Sequence, residues 1–180
     1  MILFTSGLPK SGKTTFVNKL LDALDRKLCL HINPEDYYPE DFEKLSQEDK
    51  TDIATTAWEM SLEKATKSIC AVPNRALIVF DTCCSKAFYM RQLFMNAKVR
   101  GHHVFLVYVY APLEKRVERT GDKKLADLEE RYRKAFGDTL PVLKGHSDEF
   151  IIIKNESDDL SELDKYAQLM CDKIKEIRSG

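Results

Sequence analysis

The eight residues Gly7-Leu8-Pro9-Lys10-Ser11-Gly12-Lys13-Thr14 fit the spacing G-x-x-x-x-G-K-[ST] without a mismatch. In such a pattern the glycines let successive backbone N–H groups turn inward around phosphate oxygens. A helix that starts at the end of the loop adds the positive end of its dipole. Lys13 is placed to neutralise the terminal phosphates of a nucleoside triphosphate, and the Thr14 hydroxyl to take a place on Mg²⁺. The segment from Gly7 to Thr15 is therefore the candidate nucleotide-binding segment. Within it Lys13 is a candidate catalytic cation and Thr14 a candidate metal ligand.

Phosphoryl transfer to a hydroxyl needs a carboxylate within hydrogen-bond reach of the acceptor proton. The stretch Asn33-Pro34-Glu35-Asp36-Tyr37-Tyr38 supplies two such acids, Glu35 and Asp36, and the residues alone do not choose between them. Asp81 closes the apolar run Ala76 to Phe80, a placement from which a carboxylate binds Mg²⁺ or orients an acceptor. Thr82 beside it reads as structural, and Trp58 as part of a buried helical face.

These residues need a scaffold, and the hydrophobic rhythm describes one. Ile2 to Phe4, Leu28 to Ile32, Ala76 to Phe80, Val104 to Tyr110 and Phe150 to Ile153 read as short buried strands. Between them lie amphipathic stretches: Lys13 to Asp25, the segment after the Ser46/Asp49 capping pair, Ser85 to Lys98, Leu125 to Phe136, and a final helix. That last helix carries Leu160, Leu163, Ala167, Met170, Ile174 and Ile177 at spacings of three and four. Continuous apolar strands are those of a sheet covered on both faces. The fold class is α/β: a doubly wound, mostly parallel five-stranded sheet with helices on both faces. At 180 residues the chain is expected to form one domain, residues 1–180.

Composition excludes several alternatives. The 28 basic and 29 acidic residues give a net charge of -1, which argues against binding nucleic acid through gross positive charge. Arg91, Lys98, Arg100, Arg131, Arg133, Lys134 and Lys144 are nonetheless candidates for a local basic path. No apolar run approaches the roughly 20 residues of a membrane span, and no signal peptide is legible, so a cytoplasmic location is expected. Five scattered cysteines, without zinc-type spacing, suit free thiols. No N-K-x-D sequence of the kind GTPase switches carry is present.

Beyond strand two the sequence resembles phosphate-loop kinases of the polynucleotide-kinase type, a group that includes hydroxymethyluracil-DNA kinases and seryl-tRNA kinases. The resemblance rests on Ile32-Asn33-Pro34-Glu35-Asp36-Tyr37-Tyr38, on Asp81-Thr82-Cys83, and on Ala111-Pro112 through Arg119 to Lys123. It places the family's catalytic acid on Glu35 with a second acid at Asp36, and a lid near residues 112–136. Lid cations at Arg119 and Lys123 would stabilise the transferred phosphoryl group, with Arg116 the lesser candidate on a helix whose Lys115 and Glu118 suit surface pairing. Tyr38 and Cys83 depart from the family's arginine and asparagine. What the resemblance implies is an ATP- and Mg²⁺-dependent kinase acting on an alcohol hydroxyl of a nucleic acid, DNA or RNA. The alternatives are a nucleoside or metabolite kinase, for which Glu35 to Tyr38 fits equally, and a nucleotide-dependent switch.

Overall fold

The computed structural model describes residues 1–84, 86–121, 124–157 and 159–180, without the side chains at 127, 128, 131, 134 and 135. Five strands form one sheet: β1 (Ile2–Ser6), β2 (Cys29–Ile32), β3 (Leu77–Phe80), β4 (Val104–Tyr110) and β5 (Glu149–Lys154). Their order is β2-β3-β1-β4-β5, every pair parallel. The central strand β1 is buried along its whole length, so Ile2, Leu3 and Phe4 alternate between two cores rather than between core and water.

Leu3 joins the core under α1 (Lys13–Ala23) and α6 (Ser161–Ser179), with Phe16, Leu20, Leu163, Met170 and Ile174. Ile2 and Phe4 join the opposite core, under α2 (Gln47–Ala71), α3 (Ala87–Val99) and α5 (Leu125–His146), with Ile69, Phe94 and Leu143. The short α4 (Leu113–Thr120) follows β4. Parallel strands with crossover helices bring all five C-terminal strand ends to one edge, where the loops that carry chemistry gather.

Local chemistry sets the helix ends. Ser46 Oγ accepts the Asp49 N–H at 3.1 Å and donates to Asp49 Oδ2 at 2.6 Å, so the Asp49 carboxylate holds the cap hydroxyl. The first helix stops at Ala23, short of Asp25, because the Asp25 carboxylate accepts from the Lys27 N–H at 3.0 Å and caps the next turn. The fifth helix departs most from expectation. It continues ten residues past Phe136, through Gly137 and Pro141. An interior proline costs about 3 kcal/mol, but Leu140 and Leu143 beyond and beside it pack into the second core. Burying Leu143 contributes about 1.5–3 kcal/mol and the partial burial of Leu140 adds to it, enough to carry the helix through.

Candidate functional site

The phosphate loop runs from the end of β1 into α1 with geometry that side chains would block. At Gly7 (φ 140°) a Cβ would lie 2.3 Å from the Val109 carbonyl oxygen, and at Gly12 (φ 102°) 2.5 Å from Asn155 Nδ2. Lys10 between them is also left-handed, at φ 62°. Pro9, Lys10, Gly12, Lys13, Thr14 and Thr15 line a cavity of about 570 Å³, whereas Gly7, Leu8 and Ser11 form the loop's inner side. The Lys13 ammonium donates to the carbonyls of Gly7 at 3.1 Å and Leu8 at 3.0 Å. Burial pushes this ammonium below the ordinary lysine range, and the nearby Asp81 and Glu35 carboxylates act against that shift.

Two acids enter the same cavity from the ends of β2 and β3. Asp81 is 3% exposed, and its Oδ1 lies 2.9 Å from Thr5 Oγ1 on the central strand. The other oxygen, Oδ2, is buried without a hydrogen-bond partner among the described residues. His31 Nε2, equally unpartnered, lies 3.7 Å away. Thr82 also lines the cavity, and its N–H donates to Thr5 Oγ1 at 3.0 Å, fixing the strand end. Glu35 sits in a 3₁₀ turn, Pro34–Tyr37, which Asn33 caps by accepting the Glu35 N–H at 3.0 Å. That turn puts Glu35 and Tyr38 in the cavity wall and leaves Asp36 exposed outside it.

On the far side Arg119 lines the cavity, held by the carbonyls of Asn155 at 3.2 Å and Ser157 at 2.6 Å. Lys123 lies outside the described residues. Arg116 is not on an exposed face. It is 1% exposed, donating to the carbonyls of Ala111 and Pro9 at 3.2 Å each and pairing with Glu129 of α5. With the side chain buried, its charge is satisfied by the loop and α5 instead of by solvent.

Spacing did not reveal several wall residues. Asn155, 1% exposed after β5, donates from Nδ2 to the Ser11 carbonyl at 2.9 Å and receives Arg119, joining the phosphate loop to α4. Trp58 packs on the core as its helical position implies, yet it also lines the cavity, which the reading of it as core alone misses. Tyr132 of α5 lines it too. Three residues of the candidate basic path are engaged: Lys98 pairs with Asp148 at 2.9 Å, Arg133 with Glu129 at 2.7 Å, and Lys144 sits over the Phe150 ring, while Arg91 and Arg100 are exposed. The side chains of Arg131 and Lys134 lie outside the description.

The parallel sheet in 2-3-1-4-5 order, with a phosphate loop between its central strand and first helix, is the fold of the P-loop nucleoside-triphosphate-binding proteins in their kinase form. The chain belongs to the AAA domain family, whose family model matches residues 3–134. No curated protein matches it. Several solved structures share the fold. A shikimate kinase from Acinetobacter baumannii in complex with shikimate is 19% identical over 97% of this chain and 93% of its own, with a TM-score of 0.56. A gluconokinase from Sinorhizobium meliloti 1021 is 15% identical over 97% and 93%, at 0.55. A thymidylate kinase from Candida albicans is 13% identical over 96% and 92%, at 0.59. No helix among the described residues is long and apolar enough to cross a membrane.

Proposed function

We propose that this chain is an ATP-dependent phosphotransferase that moves the γ-phosphoryl group to the hydroxyl of a small molecule, within one domain spanning residues 1–180. The observation that carries this reading is the shared cavity, in which the phosphate loop, Asp81, Glu35 and Arg119 line one space. Its volume of about 570 Å³ lies in the range of small-molecule sites.

The residues fit both ATP and Mg²⁺. The two glycines let the loop backbone pack against Val109 and Asn155, where a Cβ would collide, in the positive-φ turns a phosphate cradle needs, and the orphaned Asp81 oxygen in the cavity wall suits a cation. Thr14 and Asp81 would hold Mg²⁺, which supplies charge neutralisation at the phosphates. Backbone N–H groups of the segment from Gly7 to Thr15 cradle the phosphate oxygens, and Lys13 leaves its carbonyl partners for them. Glu35 accepts the acceptor's hydroxyl proton as the new O–P bond forms and the bond to the ADP oxygen breaks. Arg119, anchored by Asn155 and Ser157, presents positive charge to the transferred group.

A small acceptor is preferred over a nucleic-acid strand because the cavity has the volume of a small-molecule site and because Lys98, Arg133 and Lys144 are engaged with acids or a ring. A shikimate kinase and a gluconokinase among the structures sharing this fold support the same choice. The test is transfer from γ-labelled ATP, with Mg²⁺, across a panel of small alcohols, nucleosides and oligonucleotides. Label on small alcohols, with weak salt dependence of their KM, supports the reading. Transfer only to oligonucleotides with a steep salt dependence restores the nucleic-acid acceptor, and transfer to none of them removes the kinase reading.

A further inference from the structure

Around Glu35 the cavity wall is aromatic. Tyr38, Trp58 and Tyr132, from three different elements, line the same space. Each ring is backed by another group. Tyr38 stacks on Phe42 at 4.1 Å and 16°. Trp58 meets Tyr89 edge-on at 5.3 Å and 71°, with Lys86 Nζ 3.9 Å from its ring centre. Tyr132 lies parallel to Phe136 at 6.3 Å and 27°. Rings braced from behind are already ordered, so a ligand loses little affinity to freezing them.

The charges are distributed unevenly. The described cations lining the cavity are Lys10 and Lys13 of the phosphate loop and Arg119 of α4. The carboxylates lining it are Glu35, close to Tyr38, and Asp81 at the end of β3. Lys86, the cation closest to Trp58, is engaged with that ring and is not part of the lining. An acidic alcohol would add negative charge beside Glu35, whose nearby cation, Lys13, is engaged by the phosphate-loop carbonyls. A planar uncharged ring meets π-faces and gains dispersion contact without an electrostatic cost.

We infer that the acceptor contains an uncharged planar ring, seated against Tyr38, Trp58 and Tyr132, and an attached alcohol group whose hydroxyl points toward Glu35. This rests on the phosphotransferase reading above. The same chemistry is offered by a free nucleoside and by the terminal nucleoside of a strand.

Trp58 is the only tryptophan of the chain, so its fluorescence reports occupancy of this wall without turnover. The experiment titrates thymidine, uridine, a short DNA oligomer, shikimate and gluconate against the protein, then measures transfer from γ-labelled ATP to each. Thymidine or uridine should change the fluorescence saturably and be phosphorylated with kcat/KM at least about tenfold above shikimate and gluconate. Tyr38→Leu and Tyr132→Leu should each weaken that binding roughly tenfold, the size of one lost stacking contact. Tyr38→Phe should restore it, and the KM for ATP should stay unchanged. A fluorescence change and turnover with the oligomer instead assign the ring to a strand end. The inference is overturned if the anionic alcohols bind and react best, which leaves the kinase reading standing. It is equally overturned if no ring-bearing compound perturbs Trp58. Saturable binding of a nucleoside without transfer to any acceptor would retain the aromatic wall and remove the kinase reading.

Discussion

The phosphate loop and the wall that faces it are built on opposite plans. The loop is nine consecutive residues whose function lies in backbone geometry, set by two glycines pressed against Val109 and Asn155. The wall gathers Glu35 and Tyr38 from the turn after β2, Trp58 from α2, Asp81 from β3, Arg119 from α4 and Tyr132 from α5. Its function lies in side chains that meet only when the sheet and both helical layers are assembled. A contiguous backbone site tolerates changes in the surrounding sequence as long as its spacing survives. A dispersed site can change its ligand one side chain at a time without disturbing the loop.

The sharpest way to break that contrast is Glu35→Gln. If the wall supplies the base, kcat falls by roughly 10²- to 10⁴-fold while nucleotide affinity, measured by titration, is unchanged. Lys13→Ala attacks the other half and should lower kcat by roughly 10²- to 10³-fold, the usual loss for one charge-stabilising donor. Retention of full turnover by that variant would remove the loop from catalysis. Arg116→Met tests the tie between the two halves. It should destabilise the protein by about 3 kcal/mol in urea unfolding, because it strips a partner from a buried ion pair; Glu129 keeps Arg133, which holds the loss near the lower end. The smallest effect belongs to Asp36→Asn. Its side chain lies outside the cavity, so steady-state rates should stay within about twofold of the parent. A large loss there with Glu35→Gln silent would shift the acid wall by one residue.

This contrast also explains what could be read from the residues alone. Strand runs such as Ile2 to Phe4 and Leu77 to Phe80 are buried on both faces, so their continuous apolar character marks them directly. The loop carries its own spacing. Helix α5 beyond Phe136 is hidden because Gly137 and Pro141 are strong local stop signs, and only the pull of the core on Leu140 and Leu143 overrides them. Asn155 is a single amide after a strand, with nothing in its neighbours to announce the contact to Ser11. Trp58 has the periodicity of a core residue and is one, but its outer edge faces the cavity. Arg116 has the composition of a surface helix around it, and its burial depends on α5 covering it.

The buried Arg116 has a thermodynamic consequence. It links the Pro9 carbonyl in the phosphate loop to Glu129 on α5, the helix that contributes Tyr132 to the acceptor wall. Linkage through such a shared element is reciprocal: any factor by which nucleotide binding tightens acceptor binding is the factor by which the acceptor tightens the nucleotide.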